Sequence, residues 1–267
     1  MNPRDLLDDF ATRSVRPRII GHRGYSSRAP ENTMAAFSLI RKHAIFGVEL
    51  DVRRCASGEI VVMHDETLGR VGGVPLPVAT TPLAALREHD IGSWFDARFS
   101  GERVALLEEV FELLSGRCFI DIEIKRHAPN VDRAEVGRLE AETVRLILRH
   151  DLARRCIVSS FDPRIVRRVR LLDRRIVVGA IYASTSDVPM LLRRSGARIY
   201  SGAMVMKPHH PNATGGHVRR HRRAGRLVMP WTVDDEEIAL SLAERGVDAI
   251  ITNRPCEIRD ALRQPGG

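Results

Sequence analysis

Lysine is nearly missing from this chain: of its 42 basic residues, 39 are arginine and three are lysine. No apolar run approaches the ~18 residues that a membrane-spanning helix needs. Four cysteines (Cys55, Cys118, Cys156 and Cys256) stand far apart without a C-x-x-C pair. That spacing indicates neither a zinc site nor a disulfide framework, and buried or incidental thiols are expected. The chain also lacks an internal repeat, a low-complexity tract and a linker-like stretch, so residues 1–267 are expected to form a single domain. Its first ten residues carry acidic side chains where a signal peptide has an apolar segment, and the expected compartment is the cytoplasm.

What is present is an ordinary globular composition, 43% hydrophobic and 28% charged, which excludes a disordered or collagen-like chain. The formal charge is +8. Its arginines are spread along the length, with clusters at Arg167-Arg168-Val169-Arg170, Arg174-Arg175 and Arg219-Arg220-His221-Arg222-Arg223. The first cluster alternates with apolar residues as the wet side of an amphipathic helix does. No nucleic-acid recognition motif accompanies this charge, so nucleic acid is not an expected partner. The balance suits a small anionic substrate and permits transient contact with an anionic membrane surface.

Short β-branched runs at residues 18–22, 47–52, 118–125, 156–160, 176–182, 198–202, 227–231 and 248–252 alternate with helical patterns at 32–43, 106–114, 133–150, 163–172, 187–194, 216–224, 235–245 and 256–263. Strand then helix, eight times over, predicts an α/β fold with a parallel sheet, and at this length the closed (β/α)8 TIM barrel. Asn32 or Thr33 can cap the first helix, and Asp162 stands before Pro163 as cap and first helical residue. Residues 59–64 follow the second strand too closely for a parallel crossover and are expected to fold back as a β-hairpin. A two-residue turn at Ser57-Gly58 sets His64 opposite Asp51. Residues 66–105 are irregular and too long for a simple connection. They are expected to form an insertion over the top face, either a lid or substrate wall or a structural excursion.

In a strand, residues i and i+2 share a face. Glu49 and Asp51 then lie together on strand two, and Asp121, Glu123 and Lys125 share a face on strand three, opposite Ile120, Ile122 and Ile124. So many ionisable groups inside a barrel need compensation. One arrangement is a self-neutralising salt-bridge cluster. The other is one divalent cation, Mg2+ or Ca2+, held by Glu49, Asp51 and Glu123, since all-oxygen ligands suit a hard ion. His22 ends strand one and His64 returns to the same rim, giving one proton acceptor and one donor. Arg23 and Lys125 add fixed positive charge, and together these groups suit metal-assisted hydrolysis of a phosphodiester.

Residues 19–37 (I-I-G-H-R-G-Y-S-S-R-A-P-E-N-T-M-A-A-F), 47–52 (G-V-E-L-D-V) and 57–68 (S-G-E-I-V-V-M-H-D-E-T-L) resemble the opening motifs of the glycerophosphodiester phosphodiesterase family. Ile122–Lys125, Ser159–Asp162, Trp231–Asp234 and Gly246–Pro255 continue the resemblance in the right order over nearly the whole chain. It implies a barrel of the phospholipase-C-like phosphodiesterase type that cleaves glycerophosphodiesters to glycerol 3-phosphate and an alcohol. A lipid-directed relative such as a lysophospholipase D is the alternative, and a non-catalytic binding protein on the same barrel is a third. His22 and His64 match the family's acid/base histidines; Glu49, Asp51 and Glu123 match its metal ligands. Arg23 and Lys125 match its phosphate contacts, and Trp231 is expected to line the pocket. Glu31 and Asn32 either act beside the site or serve the helix start. Asn253 stands where many relatives carry Asp, and Asp234 where many carry Asn. His209-His210 is expected to be an exposed loop pair.

Overall fold

The computed structural model describes residues 17–114, 116, 118–126, 136–184 and 200–263. The strands, in chain order, are β1 (Arg18–His22), β2 (Gly47–Arg54), β3 (Ile60–Val62), β4 (Phe119–Ile124), β5 (Cys156–Ser160), β6 (Val177–Tyr182), β7 (Val205–Pro208), β8 (Leu227–Val228) and β9 (Ala249–Thr252). All but β3 are parallel neighbours in the order β8-β7-β6-β5-β4-β2-β1-β9. The ring is nearly closed, drawn together where Asp248 N–H donates to the Val228 carbonyl at 2.9 Å and Ile251 N–H to that of Pro230 at 3.0 Å. Helices Met34–Lys42, Leu107–Leu114, Arg138–Arg149, Pro163–Leu172, Gly215–Arg223, Glu236–Glu244 and Pro255–Arg263 connect the strands. The expected 187–194 helix and the start of the 133–150 helix lie outside the described residues.

Two apolar layers flank the strands. Ile20, Phe119, Ile157, Val177, Val205 and Ile251 fill the barrel interior, while Val48, Leu50, Ile120, Ile122, Ile124 and Val178 face the helices. Strict alternation along β4 therefore turns Asp121 and Glu123 inward with Phe119. Gly47 makes room for that ring, since a Cβ there would stand 3.0 Å from the Phe119 carbonyl oxygen. Cys55, Cys118 and Cys156 are free and buried, as expected. Residues 66–105 carry a third core, in which Leu68, Val71, Val78, Leu86, Ile91 and Val104 pack on Val61 and Met63 of the hairpin.

Two sequence expectations are corrected. β3 pairs Val52 with Val62 and Arg54 with Ile60, one residue away from the expected register. The loop holds three residues rather than two: Gly58 N–H donates to the Cys55 carbonyl at 3.1 Å, and Gly58 takes a positive φ of 106°. That extra residue, in a turn only glycine closes easily, brings Met63 rather than His64 opposite Asp51. The strand expected at 198–202 is β7, at Val205–Pro208. Tyr200 and Ser201 are helical, and Gly202 turns the chain with φ 69°.

The displaced strand carries Lys207, 2% exposed inside the barrel. Its Nζ lies 2.7 Å from Asp121 Oδ2 and donates to Ser159 Oγ at 2.9 Å, while Ser159 Oγ donates to Asp121 Oδ1 at 2.9 Å. The ammonium and the carboxylate thus satisfy one another where water is excluded. Lys207→Met strands the Asp121 charge and is expected to lower conformational stability by about 3–5 kcal/mol, with most of the loss recovered on adding Asp121→Asn. Urea or thermal unfolding of both variants checks this.

Candidate active site

The site stands on the carboxyl ends of β1, β2 and β4, where the interior changes from apolar to charged. His22 closes β1, and the chain then makes a tight turn in which Arg23 and Gly24 have positive φ of 55° and 90°. A Cβ at Gly24 would come within 2.6 Å of Ala36 Cβ, so the turn packs against the first helix only because glycine is there. Thr33 caps that helix, its Oγ1 accepting the Ala36 N–H. Asn32 is thereby free for another task. Its Nδ2 donates to Asp51 Oδ2 at 2.8 Å and its Oδ1 accepts the Asp51 N–H at 3.3 Å. Glu31 accepts from Arg23 Nη1 at 2.8 Å. Both residues of this motif therefore hydrogen-bond to groups of this cluster, and Thr33 rather than Asn32 caps the helix.

Glu49, Asp51 and Glu123 are buried, and one carboxylate oxygen from each lies within 4.8 Å of the others. Lys125 Nζ bridges two of them, 2.7 Å from Asp51 Oδ1 and 2.6 Å from Glu123 Oε1. Arg23 Nε lies 3.2 Å from Asp51 Oδ2. Burial alone would raise Asp51, but Lys125 and Arg23 outweigh it and hold the group far below the usual carboxylate range. Among the described residues no lysine or arginine side chain pairs directly with Glu49, although the Lys207 charge acts on it. Its carboxylate accepts the Arg23 N–H at 3.2 Å and lies 3.9 Å from His22 Nε2. Burial first, and then the Asp51 charge, push it well above the usual range.

The two histidines are held in different ways. His22 Nδ1 lies 2.8 Å from Asn253 Oδ1, which also accepts from Ser26 Oγ at 2.7 Å. Asn253 Nδ2 donates to Asp234 Oδ2 at 2.6 Å. Burial, reinforced by the Arg23 charge, lowers the His22 pKa to about 4. His64 follows β3, and its carbonyl accepts from both Arg53 Nε and Arg53 Nη2. Its Nδ1 lies 2.6 Å from Asp65 Oδ1.

Trp231 lies across the barrel from this cluster. Its Nε1 donates to the Lys207 carbonyl at 2.9 Å, and its ring packs edge-on to Phe161 at 5.6 Å and beside His209 at 5.4 Å. His209 and His210 are half-buried rather than an exposed pair, because Trp231 covers the first and the His210 N–H is tied to the Trp231 carbonyl. Sequence reasoning missed Asp65, Arg70 and Lys207 in this region. Lys207 had one available signal, the rarity of lysine in a chain that uses arginine almost everywhere else.

Residues 22–257 match the glycerophosphoryl diester phosphodiesterase family. The chain is 32% identical over 251 residues to a glycerophosphodiester phosphodiesterase of Caldanaerobacter subterraneus subsp. tengcongensis, covering 93% of this chain and 98% of that one. It is 33% identical over 237 residues to a putative glycerophosphodiester phosphodiesterase of Bacillus subtilis, covering 89% and 94%. Among solved structures it superposes on an Oleispira antarctica phosphodiesterase in complex with the product sn-glycerol-3-phosphate, with a TM-score of 0.81, 27% identity and coverage of 93% and 98%. The fold is shared with a putative glycerophosphoryl diester phosphodiesterase from Silicibacter pomeroyi, with a TM-score of 0.86, 24% identity and coverage of 96% of each chain. The chain belongs to the glycerophosphoryl diester phosphodiesterase family.

Proposed function

We propose that this protein hydrolyses small glycerophosphodiesters to glycerol 3-phosphate and an alcohol, with His22 as general base and His64 as general acid. The observation that carries the reading is the convergence of His22, Arg23, Glu49, Asp51, Glu123 and Lys125 on one rim, in a chain that matches the family from its first histidine onward. The product bound by the Oleispira relative supports the substrate class. Within residues 66–105 Trp94 is the one exposed large hydrophobic side chain. A lone indole favours a small head group over the acyl chain of a lysophospholipid.

The donor set fits one divalent cation, Mg2+ or Ca2+. Glu49, Asp51 and Glu123 offer only oxygen, and among the described residues no lysine or arginine side chain pairs directly with Glu49, which feels Lys207 only through its field. When bound, the ion would add positive charge beside the phosphoryl oxygens. Arg23 has N–H donors beyond those engaged by Glu31 and Asp51, and these are assigned to phosphate. Lys125 neutralises two of the carboxylates beside the phosphate position. Both cations gain most when charge builds on the phosphoryl group in the transition state.

Asn253 supports the division of labour between the imidazoles. Asp234 only accepts, so the Asn253 amide must turn its NH2 toward it and its Oδ1 toward His22. His22 Nδ1 therefore carries the proton, and Nε2 keeps a lone pair that withdraws a proton from the nucleophile. His64 donates Nδ1–H to Asp65, a carboxylate that balances the charge of a doubly protonated ring, and Nε2–H is given to the departing alkoxide. Trp231 is assigned to the pocket wall against the glycerol carbons.

Glycerophosphocholine supplied with Mg2+ or Ca2+ is expected to yield glycerol 3-phosphate, and EDTA to abolish turnover. His22→Ala and His64→Ala are each expected to cost roughly 10²–10⁴-fold in kcat. Full activity in chelator would remove the cation, and full activity in either variant would remove that histidine's role.

Asn253→Asp sets a second carboxylate against Asp234 and is expected to cost about 1–3 kcal/mol of stability and most of the activity. The reciprocal pair Asn253→Asp with Asp234→Asn is expected to regain both, because the hydrogen-bond chain to His22 re-forms. Unfolding curves and initial rates of the single and double variants check it.

A further inference from the structure

Residues 66–105 send the Arg70 side chain toward the site. Arg70 lies on the helical turn Gly69–Gly72, and its guanidinium spans two carboxylates. Nη1 donates to Glu31 Oε2 at 3.1 Å and Nη2 to Glu31 Oε1 at 2.7 Å, a bidentate fork, while Nε donates to Asp65 Oδ2 at 2.8 Å. Glu31 accepts from Arg23 Nη1, beside the Asp51 contact to Arg23 Nε, and Asp65 is the acceptor on the His64 ring. One side chain thus connects the group assigned to phosphate with the group assigned to the leaving alcohol. The Trp94 ring lies against it, with its centroid 5.7 Å from Arg70 Cζ.

We infer that Arg70 is a positioning residue, which sets Arg23 through Glu31 and His64 through Asp65 and so fixes the spacing of phosphate binder and general acid. The inference rests on the hydrolase reading above. A half-exposed ion pair by itself contributes little. This one differs in that three N–H groups are committed to two carboxylates, each with a second partner in the site. A planar fork meets that geometry, and a lysine ammonium on the same turn meets at most part of it. Arg70 needs no contact with substrate for this role.

The test compares wild type, Arg70→Ala and Arg70→Lys on two glycerophosphodiesters, with Mg2+ or Ca2+ supplied. One ester releases choline, whose alkoxide needs a proton; the other releases 4-nitrophenolate, which does not. Arg70→Ala is expected to lose about 10²-fold in kcat on the choline ester, as a displaced acid would. It should lose roughly tenfold less on the nitrophenyl ester, where only the Arg23 contribution is missing. Arg70→Lys is expected to follow Arg70→Ala, and added guanidinium ion to restore part of the alanine variant's rate. Should Arg70→Ala prove too unstable to assay, Arg70→Lys is read in the same way. Wild-type kcat in either variant, or equal losses on the two esters, would overturn the inference while leaving the hydrolase reading intact. Absence of turnover by the wild type on both esters would sink that reading instead.

Discussion

Carboxylates on neighbouring parallel strands repel each other wherever the register sets them side by side, and here it does so twice. β2 and β4 align Glu49 with Asp121 and Asp51 with Glu123. Inside a closed ring, such groups stay ionised only if cations come to them from elsewhere in the chain. Lys207 arrives from β7 for Asp121, Lys125 from the end of β4 for Asp51 and Glu123, and Arg23 from the turn after β1 for Asp51. Among the described residues Glu49 alone of these four carboxylates has no lysine or arginine side chain paired directly to it, and the Lys207 field does not offset its burial.

The same constraint separates scaffold from apparatus. Below the charged tier the interior is apolar, so the strands are pinned by packing that does not depend on the site. Above it, the carboxylates still stand on β2 and β4, while Arg23 and His64 come from short connections held by hydrogen bonds. The β1 turn is held by Asn32 and Gly24, and the irregular segment following β3 by Arg53. His64 is thereby delivered by a hairpin outside the ring of eight, on a segment that shares its core with residues 66–105. The placement of one histidine follows from the barrel, and that of the other from an attached layer with its own hydrophobic contacts.

How much of this was legible in the sequence follows from where its signals are strong. The β2 and β4 patterns alternate so strictly that their inward faces could be read residue by residue, and the buried trio of Glu49, Asp51 and Glu123 came with them. The end of strand one and the expected hairpin brought both histidines to the rim, and the family motifs matched them. β7 was missed because one of its two inward residues is a lysine and its last residue a proline, neither of which signals a strand until Asp121 is known to await the charge. The hairpin register slipped by one because Ala56-Ser57-Gly58 closes as three residues, a choice of turn geometry that composition does not specify. Arg70 lay in an irregular stretch without periodicity, and its meaning depends on two carboxylates, one of them 39 residues away. Pairings of that sort are tertiary facts.

The scarcity of lysine, together with the burial of two of the three, has a practical corollary. Lys125 and Lys207 lie inside the barrel, and Lys42 is left on the exterior. Amine-directed acylation of the native protein would therefore find a single lysine at the end of the first helix, and the positive exterior, made almost wholly of guanidinium groups, would keep its charge. Apart from the chain's α-amine, a label, a tether or a cross-linker attached through lysine chemistry would occupy one defined position.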